Sequence, residues 1–140
     1  MSDRYFLDTN VFVYAFDTDA PAKASRARQL IRDAVSTRRG IVSNQVVQEF
    51  FNVALRRFAQ PMSALEAQQY LTSVFRPILA VHSSQALYLD ALRLYEEHRL
   101  AWYDSLIVAA AIQGRCSALY SEDLSHGLRI GDLRIENPFL

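Results

Sequence analysis

Short apolar runs typical of β-strands alternate with longer helical patterns along this chain, and this alternation restricts the fold more than any other feature of the sequence. The strand-like runs are Arg4–Asp8, Gly40–Ser43, Ile78–Val81 and Ala118–Ser121, with a short edge strand expected within residues 128–135. The helical patterns cover Pro21 to about Thr37, Ser43 or Asn44 to about Phe58, Ser63–Phe75, Ser84–His98 and Tyr103–Gln113. This order predicts an α/β fold with a parallel sheet and helices on both of its faces.

Three segments carry more specific expectations about burial. Residues 11–16 are apolar enough to form either a buried helix or a buried strand. In the helix predicted from Ser84 to His98, the spacing of Leu89, Leu92 and Tyr95 predicts that these side chains face inward. The pattern from Tyr103 to Gln113 is apolar nearly all round, which predicts a central buried helix.

Composition places the chain among ordinary globular proteins. At 140 residues it is long enough to bury a core and is expected to form one domain, residues 1–140. The single cysteine, Cys116, cannot form an internal disulfide, and this fits a reducing, cytoplasmic location. No signal peptide is recognisable, and the longest apolar run, Leu106–Ile112, is too short to span a bilayer. We therefore expect a soluble protein with no membrane partner.

The net charge of zero conceals a basic stretch. Residues 23–57 contain eight basic and two acidic residues, a net charge of +6. Fourteen of the fifteen cationic residues in the chain are arginine, whose guanidinium suits bidentate phosphate contacts. A genome that encodes arginine in place of lysine explains the excess of arginine equally well. It does not explain why the basic residues cluster in this stretch. The candidates for phosphate contact in this stretch are Arg26, Arg28, Arg32 and Arg56.

Acidic residues follow or begin the elements that should meet at one edge of the sheet. Asp8 follows the first strand, Asp104 begins the central helix, and Glu122 and Asp123 follow the fourth strand, whereas Glu49 lies within a helix. Taken singly, each is explained by a helix cap, a turn or a solvated surface. Taken together, carboxylates in one cleft repel each other unless a cation holds them, and oxygen ligands select hard ions such as Mg²⁺ or Mn²⁺. The pattern therefore predicts a metal site.

Other catalytic chemistries lack their motifs. There is no phosphate-binding G-x-x-x-x-G-K-[ST] loop, no G-x-S-x-G nucleophile turn and no Cys/His cluster typical of zinc. His126 lies close in sequence to Asp123 and could touch substrate, but a lone histidine is more often structural or solvent-facing. The acidic residues thus remain the main candidates for chemistry.

Four stretches resemble the motifs of PIN-domain ribonucleases, most closely the VapC-type toxins of bacterial toxin–antitoxin modules. They are LDTNVFVYAFD (7–17), SNQVVQEFFNV (43–53), YDSLIVAAA (103–111) and LYSEDLSHG (119–127). The resemblance implies a three-layer fold, with a small parallel sheet of about four to five strands flanked by helices. It also implies divalent-metal-dependent RNA cleavage, a cognate antitoxin protein as partner and, commonly, a homodimer.

The same resemblance assigns roles to individual residues. It implies a catalytic, metal-binding quartet of Asp8, Glu49, Asp104 and Asp123. The supporting polar positions that it implies are Thr9, Asn10 and Ser121. Asp123 matches the family pattern better than Glu122, because the acid comes two residues after the hydroxyl, and Glu122 is held as a possible substitute or assistant. One or two Mg²⁺ or Mn²⁺ ions would be the cofactor.

Two alternatives remain open at this point. A PIN-like domain that has lost catalysis could still bind RNA or another protein, although the intact quartet argues against it. A phosphatase of the haloacid dehalogenase type also carries an aspartate after its first strand. It needs a second aspartate two residues later, where this chain has Asn10.

The basic stretch yields a testable prediction. Replacing Arg26, Arg28 and Arg32 together with Ala should weaken RNA binding and flatten its dependence on salt, because fewer counterions are released when fewer phosphates are contacted. Binding measured across a series of salt concentrations checks this, with metal binding expected to stay unchanged. An unaltered salt slope would indicate that the arginines only solubilise the surface.

Overall fold

A computed structural model describes residues 3–140, and in this part of the chain six strands form one sheet in the order β3-β2-β1-β4-β6-β5. The strands are β1 (Tyr5–Leu7), β2 (Gly40–Ser43), β3 (Leu79–Val81), β4 (Ala118–Tyr120), β5 (Arg129–Ile130) and β6 (Leu133–Glu136). Every neighbouring pair is parallel except β5 with β6. The predicted α/β fold with a mostly parallel sheet is confirmed.

Helices occupy the three connections that join β1, β2, β3 and β4. They are α1 (Thr9–Tyr14), α2 (Pro21–Thr37), α3 (Asn44–Ala54), α4 (Ala64–Tyr70), α5 (Arg76–Ile78), α6 (Gln85–His98) and α7 (Trp102–Gln113). The chain advances from β1 to β3 in one direction and then returns across the sheet to β4. Right-handed crossovers therefore put α6 and α7 on the face opposite α2 and α3, which gives three layers. No helix among residues 3–140 is long and apolar enough to cross a membrane.

The central helix is buried as its composition predicts. Side chains from Ser105 to Ala111 in α7 are all buried. The one polar member of this set, Ser105, donates from Oγ to the carbonyl of Ala101 at 3.0 Å, so its hydroxyl is satisfied inside the core. Because α7 packs tightly, its first turn is held firmly at the edge of the sheet where Asp104 lies.

The prediction of which side chains of α6 face inward is wrong. Leu89, Leu92 and Tyr95 are 60%, 51% and 52% exposed, and the buried side chains are Leu87, Ala91 and Leu94. Both sets recur at helical spacing, so the helix has two apolar stripes. Packing against α7 buries the stripe with the smaller residue at its centre, because Ala91 allows close approach of the two helices.

Several predicted boundaries also shift. Residues 128–135 hold two strands rather than one, and β6 pairs with β4 inside the sheet while β5 forms the edge. The helix expected to reach Phe58 ends at Ala54, and Phe58 packs back onto Phe16 and Phe50 from the following turn. Pro77 does not stop the preceding helix at Phe75, since proline is tolerated in the first turn of α5.

The segment between α4 and α5 departs from regular α-helix. The capping box of Ser63 and Glu66 starts α4, and the backbone then widens into a π-helical turn at Leu71–Phe75. Phe75 is fully buried there, with its ring against those of Phe12 and Phe50. This aromatic cluster joins α1, α3 and the π-helical turn, and so it fixes the helix that Asp8 caps and the helix that contains Glu49.

Candidate functional site

The site is built on the ends of two neighbouring central strands. In the parallel pairing of β1 with β4, Leu7 lies opposite Tyr120, so both strands end at the same level. The pairing continues one step further, because the Asp8 N–H donates to the carbonyl of Tyr120 at 3.1 Å. Asp8 and Ser121 therefore lie side by side at the carboxyl edge of the sheet, where ligands bind in folds of this kind.

Asp8 is both a helix cap and a member of the site. Its Oδ1 accepts from the backbone N–H of Thr9 at 2.7 Å, which caps α1, and its Oδ2 accepts from Ser121 Oγ at 2.8 Å. Only 5% of the residue is exposed. Burial is the main reason that the pKa of Asp8 is raised to about 6, and the negative charges of Asp123 and Glu49 add to the effect, while the two hydrogen bonds oppose it.

Glu49 is held in place by neighbours rather than extended into solvent. Its Oε1 accepts from Thr9 Oγ1 at 2.9 Å and from Gln45 Nε2 at 3.4 Å. Thr9 is itself buried, so its hydroxyl has a defined direction toward α3. The expected supporting position of Thr9 thus corresponds to a contact with Glu49, which joins the start of α1 to the middle of α3.

Asp104 and Asp123 complete the acidic lining. Asp104 lies in the first turn of α7, where burial and then the negative charge of Asp123 raise the pKa of its carboxyl group. The backbone N–H of Asp123 donates to Ser121 Oγ at 3.2 Å. Ser121 is fully buried and therefore links Asp8 to the segment that carries Asp123.

The four acidic residues line one cleft of about 310 Å³. Thr9 and Asn10 line it as well, together with residues that the motifs did not single out as site residues: Val13, Gln45, Asn52, Val53, Tyr103 and Ile107. The sequence feature that could have identified Gln45 and Asn52 as site residues is their helical spacing from Glu49. The apolar members carried no signal, because they look like any core residue.

The donor chemistry of the cleft fits a hard divalent cation, since every acidic side chain offers oxygen. Burial, and then neighbouring negative charge, raises the pKa values of Asp8 and Asp104. Within residues 3–140, however, no group of three or more His, Cys, Asp or Glu side chains is already arranged to hold a metal ion. The carboxylates share a cleft without forming a closed ligand cage. Metal binding at this place stays a prediction.

Glu122 faces away from the cleft. Its Oε1 accepts from Lys23 Nζ at 2.8 Å, and the hydrogen bond from Lys23, followed by one from Tyr14, lowers the pKa of Glu122. The Lys23 ammonium also lies 4.5 Å from the centre of the Tyr14 ring. Asp123, and not Glu122, is the residue of this pair that lines the cleft.

The predicted RNA-contact arginines lie outside the cleft lining. Arg26, Arg28, Arg32 and Arg56 are all exposed, and the cleft lining includes none of them. Arg26 Nε donates to the carbonyl of Pro138, and Arg28 Nη1 donates to that of Ala15 at the end of α1. His126 accepts at Nδ1 from the backbone N–H of Asn137, a structural contact. Phosphate binding by the arginines remains a prediction.

Comparison with known proteins agrees with this architecture. The family model described as PIN domain matches residues 5–126. No curated protein sequence matches the chain significantly.

Solved structures with the same fold include three toxin–antitoxin proteins. A toxin–antitoxin complex from Klebsiella pneumoniae has a TM-score of 0.67 at 17% identity, covering 96% of this chain and 97% of the other. VapC20 from Mycobacterium tuberculosis, a toxin that cleaves the sarcin–ricin loop, has a TM-score of 0.61 at 20% identity, with coverages of 84% and 88%. VapBC2 from Rickettsia felis, bound to a promoter DNA fragment, has a TM-score of 0.62 at 18% identity, with coverages of 94% and 96%. At these identities the likeness concerns the fold.

The raised pKa of Asp8 predicts an unusual effect of pH. The folded state holds this proton up to about pH 6, whereas the unfolded chain releases it near 3.8, so stability is lost as pH rises between these values. At pH 7 the ionised carboxylate of Asp8 lowers the free energy of unfolding by about 3 kcal/mol. In EDTA, Asp8→Asn should therefore melt roughly 5 to 15 °C above wild type at pH 7, and the difference should disappear below about pH 4.

Thermal melts of both proteins across this pH range provide the measurement. Asp33→Asn, which removes a carboxylate from the exposed face of α2, is the control and should show no such pH-dependent gain. A difference between Asp8→Asn and wild type that does not change from pH 4 to pH 7 would contradict the assignment of the effect to Asp8.

Proposed function

This chain belongs to the PIN domain family, and on that premise we propose that it is a divalent-metal-dependent ribonuclease that hydrolyses RNA phosphodiester bonds. The observation that carries the proposal is the convergence of Asp8, Glu49, Asp104 and Asp123 on one cleft from four separate parts of the chain. Scattered caps and turns would not be expected to share one cleft. The haloacid dehalogenase alternative has no support from the family match and is dropped.

In this proposal Asp8, Asp104 and Asp123 hold one or two Mg²⁺ or Mn²⁺ ions, directly or through water. Such an ion supplies Lewis-acid stabilisation of the charge that develops on the phosphate during hydrolysis. Burial of Asp8 serves this purpose, because a carboxylate that is poorly hydrated gains more from a cation than a solvated one does. The hydroxyl of Ser121 fixes the orientation of Asp8 through its bond to Oδ2.

Glu49 is proposed to orient the attacking water or to complete the ligand set. Both of its hydrogen bonds from Thr9 and Gln45 go to Oε1. Oε2 therefore has no protein donor among residues 3–140 and is available to accept a proton from water. The arrangement keeps the side chain directed into the cleft while leaving one oxygen for chemistry.

The role of toxin in a toxin–antitoxin pair is proposed from the named structures that share the fold. VapC20 is described as a toxin that cleaves the sarcin–ricin loop, and the other two structures contain toxin–antitoxin proteins. We extend to this chain an RNA substrate and a cognate antitoxin that occludes the acidic cleft. A homodimer is also proposed, and the exposed stripe of Leu89, Leu92 and Tyr95 is an apolar surface available for it. The alternative is a PIN domain that binds RNA or protein without catalysis.

Substitutions in the cleft separate these possibilities. Asp104→Asn and Asp123→Asn should each reduce RNA cleavage by at least about a hundredfold, because each removes a charged ligand that the proposed metal site needs. Glu49→Gln should also cripple cleavage, to a smaller extent. The assay is incubation with a mixed RNA pool and Mn²⁺, with mapping of the new ends.

Glu122→Gln is the matched control for Asp123→Asn, since the two acids are adjacent in sequence and only Asp123 lines the cleft. Glu122→Gln should retain cleavage within a few-fold of wild type. Equal activity of wild type and folded Asp104→Asn would contradict the proposed site. No cleavage by wild type in any divalent metal would favour the catalytically inactive alternative.

Metal binding can be measured without knowing the RNA. A cation that binds only the folded state stabilises it by about 2.7 kcal/mol at a hundred times its dissociation constant. For a domain of this size, Mn²⁺ should raise the melting temperature by roughly 5 to 15 °C, and EDTA should reverse the rise. The rise should be less than half as large in Asp104→Asn and unchanged in Glu122→Gln. A rise of the same size in all three proteins would place the bound metal elsewhere.

A further inference from the structure

A second pocket adjoins the acidic cleft at the same edge of the sheet. It has a volume of about 340 Å³ and lies between the starts of α3, α6 and α7. Its lining includes Ser43, Gln45, Gln48, Tyr88, Trp102 and Tyr103. Gln45 and Tyr103 line both spaces, so the two are separated by little more than these side chains. We refer to this space as the neutral pocket, since no charged side chain lines it.

The rim of the neutral pocket is held together by side-chain hydrogen bonds. Asn44 Oδ1 accepts from the backbone N–H of Ser83 at 2.8 Å, which ties the segments after β2 and β3 to each other. Gln45 Nε2 donates to the carbonyl of Tyr103 at 3.2 Å and so connects α3 to α7. Because three helices are fixed relative to one another by these bonds and by the core, the pocket exists before any ligand binds.

One buried polar group at the neutral pocket lacks a partner. Ser43 is 3% exposed, and its Oγ forms no hydrogen bond to any residue from 3 to 140. A buried hydroxyl without a partner is destabilising, so such groups ordinarily mark a place where a water or ligand binds. The aromatic rings nearby are accessible, with Tyr88 45% and Tyr103 64% exposed.

We infer that the neutral pocket binds a nucleobase of the RNA strand whose phosphate occupies the acidic cleft. The inference rests on the proposed ribonuclease function and names a part of its substrate site. The neutral pocket lacks the charged side chains that would attract a phosphate or a cation in preference to an uncharged group. Exposed aromatic rings with amide and hydroxyl groups beside them match a flat, uncharged ring that carries donors and acceptors on its edge.

Because the neutral pocket lies beside the acidic cleft, one RNA strand could occupy both spaces. The acidic cleft receives the backbone phosphate, and the base next to it turns into the neutral pocket across Gln45 and Tyr103. Tyr88, Trp102 and Tyr103 provide stacking, while the exposed amide of Gln48 provides hydrogen bonds to the base edge. Since unstacked bases are accessible only in loops, ends and single strands, the pocket selects unpaired RNA.

Trp102 makes the inference directly testable, because it is the only tryptophan in the chain and lines the neutral pocket. The unmodified protein is titrated in Ca²⁺, an oxygen-ligated cation that neutralises the acidic cleft so that a phosphate can enter it. The ligands are RNA hexamers of a single base and a hexamer of abasic ribose phosphates of equal charge, and electrophoresis after each titration checks that the hexamers are intact. Tryptophan fluorescence is recorded at constant salt. At least one base-bearing hexamer should produce a saturable change, and the abasic hexamer should not.

Substitutions at an exposed position then localise the contact. Tyr88→Leu should weaken binding of that hexamer by about 5- to 100-fold, because stacking on one aromatic ring is lost, whereas Tyr88→Phe should retain it. Tyr95→Leu is the control, since Tyr95 is equally exposed on α6 and does not line the pocket. In cleavage, Tyr88→Leu should raise KM and change the preferred base beside the cut, with kcat and the Mn²⁺-dependent stabilisation unchanged.

The outcomes distinguish this inference from the proposed function. If RNA is cleaved but the abasic hexamer changes the fluorescence as strongly as the others, or if Tyr88→Leu binds and cuts like wild type, the neutral pocket does not bind a base. If no RNA is cleaved but base-bearing hexamers bind in a Tyr88-dependent way, the base site stands and the ribonuclease function fails. Absence of any fluorescence change up to millimolar hexamer would overturn the inference outright.

Discussion

The hydrogen bond from Ser121 to Asp8 joins the ends of the two central strands, and the acidic cleft depends on it. It lies one step beyond the last backbone pair of β1 and β4, so the sheet itself sets its position. The same Ser121 oxygen accepts from the Asp123 N–H. One buried hydroxyl thereby fixes the carboxylate of Asp8 and the segment carrying Asp123. Loss of the bond would leave a buried carboxylate with one partner fewer, which is costly.

The buried position of Asp8 at the end of β1 lowers the stability of the fold. A group that is 5% exposed and flanked by other carboxylates is held in its charged form at neutral pH only against burial and repulsion. The surrounding core compensates, with α7 buried along most of its length. Destabilising charge that persists at one cleft is typical of functional sites, since it becomes favourable when a ligand of opposite charge binds.

The carboxyl edge of the sheet contains two chemically different spaces. The one near Asp8 is acidic, and the one near Ser43 is neutral and aromatic. Gln45 and Tyr103 belong to both, and the hydrogen bond between them ties α3 to α7. In the proposed substrate complex this division matches the two parts of a nucleotide, a charged backbone and an uncharged base. Neither space extends over the exposed arginines of α2, whose contribution would be to the more distant backbone.

The sequence by itself determined the α/β architecture, the buried central helix and the acidic residues that converge on the cleft. The architecture and the buried helix depend on local periodicity, and Asp8, Asp104 and Asp123 follow from the rule that parallel strands end at one edge. Glu49 was assigned to the site by the family resemblance. Tertiary structure alone decided which apolar stripe of α6 is buried, because both stripes have helical spacing and only packing against α7 distinguishes Ala91 from Leu92. The family resemblance had already favoured Asp123 over Glu122, and the structure adds the physical reason, since Lys23 binds Glu122 from a distant helix. The neutral pocket could not be predicted from the sequence. Its walls come from three separated segments, and no local sequence pattern indicates a contact between them.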